Sequence, residues 1–185
     1  MVMRIRPLLA LLAFPVILIA APVDPPRVTV RGHIQTAQGD RPARLTLVCT
    51  QGNGGALTLQ LWLPGERLAD FDLDAYEGPG APAAQRASAH LRIGDQQLPA
   101  AKVGGWYTSE PADAPMSFVF GLSRLARQTG TAASAARALG KSGATLQWTQ
   151  DNPKPGGQPL NASFSPSASE SAQIERITAP CLPRR

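Results

Sequence analysis

The sequence predicts a mainly β protein, an antiparallel β-sandwich with one or two short helices and a single disulfide, with an open sheet covered by the helices as the alternative. Three observations carry this expectation. Apolar residues alternate with polar ones in short runs, the period-2 pattern of strands with one wet face. The 185 residues include 18 prolines and 17 glycines, many of them clustered in turn-forming segments between those runs. The two cysteines, Cys49 and Cys181, stand 132 residues apart, near the two ends of the β-rich region.

The first strand runs from Arg27 to Ile34, where Val28, Val30 and Gly32 alternate with Arg27, Thr29 and Arg31. A β-hairpin follows. Leu45, Leu47 and Cys49 share one face, QGNGG (residues 51–55) supplies a turn that tolerates positive φ, and Leu57, Leu59, Leu61 and Leu63 alternate with Thr58, Gln60 and Trp62. In residues 70–76 Phe71 and Leu73 alternate with Asp70, Asp72 and Asp74, which reads as a short strand before the loop EGPGAPAAQ. Residues 88–93 form the next strand, and Gly94 and Asp95 turn the chain into a second hairpin. Met116, Phe118 and Phe120 line one face of a further strand that leads into residues 123–139, an alanine-rich stretch read as one or two helical segments ending at Gly140. Ala144, Leu146 and Trp148, then DNPKPGGQP, then Leu160, Ala162 and Phe164 make a last hairpin. Ser167 and Glu170 have capping-box spacing before a short helix in which Ile174 and Ile177 share a face.

The N-terminus reads as an export signal. Arg4 and Arg6 precede the apolar run Leu8 to Ala20, which ends at the small pair Ala20 and Ala21. A membrane-spanning helix needs about 20 apolar residues. This run is shorter and is interrupted by Pro15, so an uncleaved anchor is the lesser alternative, and no stable span is expected after cleavage. The chain therefore divides into a signal peptide (1–20), an extended lead-in (21–26) and a single β-rich domain (27–185), placed in the periplasm or secreted. About 165 residues suffice for one core.

Composition narrows the chemistry. Loss of Arg4 and Arg6 lowers the formal charge from +5 to +3, and no dense basic tract interleaved with aromatics is present, which argues against nucleic acid as a partner. In an oxidising compartment the simplest reading of Cys49 and Cys181 is a structural disulfide, with two buried free thiols as the alternative. The two histidines, His33 and His90, fall on separate polar strand faces, so no metal site and no cofactor are expected. Asp70, Asp72 and Asp74 lack the glycine and distal glutamate of a calcium loop. No GxSxG or SxxK motif occurs, and the triplet Asn161 to Ser163 is short enough to arise by chance.

Three aromatics stand out as candidate contact residues. Trp62 lies on the strand face opposite Leu59, Leu61 and Leu63, and Trp106 and Tyr107 follow the pair Gly104 and Gly105. Outward aromatics make contact surfaces for proteins or sugars. The competing reading packs Trp62 beneath a loop or second layer.

The stretches MSFVFGLSRLARQ, ALGKSGATLQW and PLNASFSPSASESAQIERI, within residues 116–180, resemble the invasion-associated locus B family of exported bacterial proteins. The resemblance implies a small exported β-sandwich and carries over no residue-level role. The family's usual cysteine spacing is not reproduced by Cys49 and Cys181. The resulting expectation is a non-enzymatic binding module, of inhibitor, immunity or envelope-associated type, whose partner is another envelope or secreted protein. The alternative is an envelope polysaccharide-binding accessory domain, or a hydrolase assembled from distant residues such as Asp72, Asp74 and His90.

Cleavage after Ala20 is testable directly. N-terminal sequencing of the exported protein is expected to begin at Ala21, and a protein that still begins at Met1 would refute the signal-peptide reading.

Overall fold

Ten antiparallel strands join in one sheet in the computed structural model, which describes residues 24–36, 39–52, 54–64, 68, 71–110 and 115–184. The expected signal peptide and Asp70 lie outside the described residues. The strands are β1 (Arg27–Thr36), β2 (Gly39–Cys49), β3 (Ala56–Pro64), β4 (Ala87–Ile93), β5 (Gln96–Gln97), β6 (Ala101–Lys102), β7 (Gly104–Thr108), β8 (Ser117–Leu125), β9 (Leu146–Gln150) and β10 (Leu160–Phe164). Two helices, α1 (Thr131–Leu139) and α2 (Ala168–Thr178), complete the framework.

The hairpins form where alternation and turn chemistry place them. Gly52 and Gly54 take positive φ in the turn between β2 and β3, and Thr50 and Ala56 exchange backbone hydrogen bonds at 2.9 and 3.1 Å across its base. Register sets Leu45 opposite Leu61, Leu47 opposite Leu59 and Cys49 opposite Leu57, so both strands present one continuous apolar face. On the other side of β3, Phe118, Phe120 and Leu122 of β8 stand opposite Leu63, Leu61 and Leu59. β9 and β10 pair as the expected last hairpin, with Trp148 opposite Ala162.

The strand order is β5-β4-β9-β10-β1-β2-β3-β8-β7, with β6 also paired to β4. One sheet thus stands in place of the expected two-sheet sandwich, as in the alternative of a single sheet covered by the helices. β6 pairs with β4 at one end of the order, while β7, which begins two residues beyond Lys102, pairs with β8 at the other. A single residue, the buried Val103, separates the two pairings. Adjacent Cα atoms are only about 3.8 Å apart, so this bent segment draws the two ends of the sheet together. The buried face curls around one apolar cluster running from Val28 on β1 to Trp148 on β9 and Phe120 on β8. Strand alternation is identical for a rolled sheet and a sandwich, since each strand buries one face either way.

Local sequence follows from this curvature. Gly32 occupies an inward position of β1 because a Cβ there would come within 2.2 Å of the Ser163 carbonyl oxygen and 2.3 Å of the Phe164 ring. The alanine content of α1 has a similar cause. Ala132, Ala133, Ala135 and Ala136 are buried with Leu139, and their small side chains let the helix sit close to β3, β4 and β8. α2 covers β1 and β2 through the fully buried Ile174. Its start is the capping box foreseen from sequence: the Glu170 backbone N–H donates to Ser167 Oγ at 3.3 Å, and the Ser167 N–H donates to Glu170 Oε2 at 2.7 Å.

Two local expectations are corrected. Residues 74–76 form a turn of 3₁₀ helix rather than strand, because Tyr76 turns into the core instead of continuing the alternation. Its ring packs edge-on against Phe120 at 5.1 Å, and its hydroxyl donates to the Asp151 carbonyl at 2.7 Å. Helix does not begin at Ser123. β8 continues through Leu125, Arg127 turns the chain at a φ of 65°, and α1 starts only at Thr131.

Cys49 and Cys181 form a disulfide, with their Cα atoms 5.9 Å apart. The bond joins the end of β2 to the short 3₁₀ turn Ala179–Cys181, and both residues are buried. Cys49→Ser or Cys181→Ser is expected to lower unfolding free energy by about 2–5 kcal/mol, read as a lower denaturant midpoint. A midpoint equal to that of the wild type would show that the bond does not constrain the unfolded chain.

Candidate functional site

The curled sheet consumes its inward face, so the groups free to meet another molecule lie on the outer face. Across β2, β3, β8 and β7 the register aligns Arg44, Trp62, Val119 and Trp106 in one row. Arg31 of β1 extends the row, since it stands opposite Arg44. Three of these five side chains are cationic or large aromatic and exposed, while Val119 and most of Trp62 are covered.

Trp62 is 9% exposed, on the face opposite the leucines of β3 as the alternation requires. The Arg44 guanidinium lies 5.1 Å from its ring centroid, a cation–π contact, and the indole Nε1–H donates to Gln60 Oε1 at 3.2 Å. The two competing expectations for Trp62 are thus both partly met: it points outward, and it is largely covered.

Trp106 is 37% exposed and its six-membered ring takes the space above Gly121, where a Cβ would lie 2.7 Å from Cζ3. Tyr107, next in β7, faces the other way. Its ring packs edge-on against Phe118 at 4.9 Å and its hydroxyl donates to Asp74 Oδ1 at 2.6 Å. The strand alternation therefore separates the two aromatics that adjoin in sequence. Gly104 and Gly105 are not a loop but the start of β7, and Gly105 is required because a Cβ there would meet the Phe118 ring at 2.3 Å.

Beside Arg44 and Trp62 is a shallow hollow of about 270 Å³, lined also by Arg27, Thr29, Thr46 and Glu110. The Thr29 and Thr46 hydroxyls are hydrogen-bonded to each other at 2.8 Å. Arg27 Nη1 donates to Glu110 Oε1 at 3.0 Å, and Asp24 lies 3.7 Å from the same guanidinium. The Glu110 hydrogen bond and charge hold Arg27 above the usual arginine range. Arg27 is thus neutralised locally, whereas Arg44 makes its contact with a ring and Arg31 forms no ion pair with any described residue.

The remaining candidate residues are not brought together. His90 Nε2 lies 3.1 Å from Asp151 Oδ2, while Asp74 is engaged by Tyr107. His33 faces Asp40 at 3.9 Å, three strand spacings from His90 along the sheet order. Among the described residues no group of three His, Cys, Asp or Glu side chains converges. Asn161 sits within β10 and accepts a hydrogen bond from the Thr149 hydroxyl at 2.8 Å.

Sequence reasoning singled out Trp62 and Trp106 but missed Arg31, Arg44 and Gly121. The turn of the first hairpin carries the signal for Arg44, because it sets the register that puts Arg44 opposite Trp62. Gly121 and Val119 depend on the pairing of β3 with β8, separated by more than fifty residues, and no local pattern encodes that choice.

No family model, curated protein or solved structure matches the chain. Gly121→Ala tests the seating of Trp106. The added methyl group is expected to displace the ring and shift the Trp106 indole N–H resonance while leaving that of the buried Trp148 in place. An unmoved Trp106 resonance would show that the ring does not rest on this glycine.

Proposed function

We propose that the protein is an exported, non-enzymatic binding module that works in the periplasm or outside the cell and engages its partner through the outer face of β1, β2, β3, β8 and β7. The observation that carries this reading is the row of Arg44, Trp62, Val119 and Trp106, which sets cationic and aromatic groups side by side on a rigid sheet. Tryptophan and arginine are the residue types that most often dominate contact energy. A site built on paired strands also keeps its geometry better than one on loops.

Three further observations support the reading. The interior is filled by large side chains, Trp148, Tyr76, Phe118, Phe120 and Phe164 among them, so the inner face is a packed core. The disulfide suits an oxidising compartment. No helix among the described residues is long and apolar enough to cross a membrane. A second reading, a polysaccharide-binding accessory domain, is favoured by the hollow beside Trp62 with its paired hydroxyls and flanking Glu110.

Trp106→Ala is expected to weaken retention of the envelope partner by about tenfold or more, since truncating an aromatic anchor of a contact surface costs about 2 kcal/mol or more. Retention of envelope extract on immobilised wild-type and variant protein measures the effect, with the denaturant midpoint as a control for folding. Unchanged retention by a stably folded variant would place the contact surface elsewhere.

A further inference from the structure

We propose that Arg31 and Arg44 together bind a carboxylate of an acidic polysaccharide, with Trp62 and Trp106 as the apolar side of the same site. This rests on the outer face being the contact surface, and it adds the chemistry of what that face contacts. The two arginines are exposed and directly opposite each other on β1 and β2. Directly opposed side chains have Cβ atoms about 5 Å apart, and like charges so placed destabilise the sheet unless something neutralises them.

Among the described residues no acidic side chain occupies a neighbouring outer position of the two strands. Along and across the two strands the neighbours are Thr29, His33, Pro42, Thr46 and Trp62. The nearby carboxylates are turned to other groups: Glu110 and Asp24 to Arg27, at 3.0 and 3.7 Å, and Asp40 to His33 at 3.9 Å. The Arg31–Arg44 pair is therefore a local excess of positive charge that an anion would relieve. Arg44 is also held in place, because its guanidinium rests over the Trp62 ring at 5.1 Å. A guanidinium held against a ring face makes no hydrogen bond to it, so its N–H donors stay available for a two-point grip on a carboxylate.

The hollow next to Arg44 favours a sugar over an acidic peptide. Its Thr29 and Thr46 hydroxyls and the Glu110 carboxylate offer both donors and acceptors to a hydroxyl-rich ligand. An acidic side chain of a peptide would bring only acceptors to this hollow, whereas a uronic acid brings a carboxylate for the arginines and hydroxyls that can pair with Glu110 and the threonines. Trp106, at the far end of the row, offers a partly exposed ring to the C–H face of a further sugar unit.

Calorimetric titration of the disulfide-bonded protein with short oligogalacturonate tests the proposal, with a neutral maltooligosaccharide and a poly-glutamate peptide as comparisons. Oligogalacturonate is expected to bind and to weaken with added salt, while the neutral sugar does not. Arg31→Gln and Arg44→Gln should each reduce affinity about tenfold or more, as loss of a charge-assisted hydrogen bond does, and Arg31→Gln, which relieves the like-charge pair, should not lower the denaturant midpoint. Lack of oligogalacturonate binding, binding that survives both substitutions, or equal or tighter binding of poly-glutamate would each overturn it. The broader reading falls only if Trp106→Ala also leaves envelope retention unchanged, so the two failures are distinguishable.

Discussion

Val103 is the turning point on which the shape of the sheet depends. On one side of it β6 holds to β4, and on the other β7 holds to β8, so one short segment joins strands at opposite ends of the order. A sheet with one apolar face and only two short helices has too little other structure to cover that face, and curling is the way to bury it. The seam created by the curl is itself filled. Tyr76 inserts between the β8 side and the end of β9, and the fully buried Gln150 donates from Nε2 to Tyr76 Oη at 3.0 Å and to Ser88 Oγ at 2.9 Å. Gln150 Oε1 accepts from Trp148 Nε1 at 3.3 Å, so its polar atoms are satisfied at the centre of an apolar core.

The same curl decides where recognition can occur. With the inner face committed to packing, the side chains that remain are those of the opposite parity on each strand. On β4, β9 and β10 these are His90, Arg92, Gln147, Thr149, Asn161 and Ser163, with Arg92 hydrogen-bonded to Gln147 and His90 beside Asp151. On β1, β2, β3, β8 and β7 they include Arg27, Arg31, Arg44, two of the three tryptophans and the glycine beneath Trp106. Glu110, reaching back from beyond β7 to Arg27, neutralises one corner of this face and leaves Arg31 and Arg44 as its cationic part.

The chain end is tied in at several points besides the disulfide. The Cys181 carbonyl accepts a hydrogen bond from the Arg127 N–H at 2.7 Å, and Ala126 donates to the Gly55 carbonyl at 2.7 Å. Arg127 reaches that contact with a φ of 65°, a left-handed conformation that costs a residue with a side chain about 1–2 kcal/mol. The hairpin turn after β2, the turn after β8 and the last turn of the chain thus meet around one covalent bond. Arg137, from α1, adds a further tie by donating to the Pro183 carbonyl at 3.0 Å.

Much of the local structure was legible in the sequence because it rests on short-range rules. Alternation marked the long strands, the glycine-rich turn marked the first hairpin, Ser167 and Glu170 marked the start of α2, and the two isolated cysteines marked their own pairing. The same rules put Trp62 on an outer face. Where a side chain's fate depended on a distant partner, they failed. Tyr76 left its apparent strand for a core assembled by β8 and β9, and Tyr107 turned inward beside an outward Trp106 because β7 is a strand paired with β8. The choice between a sandwich and a curled sheet, and the gathering of Arg31, Arg44, Trp62 and Trp106 into one row, belong to the tertiary structure alone. Alternation states which face of a strand is apolar but not which strand lies beside it, and only the pairing of strands remote in sequence supplies that neighbour.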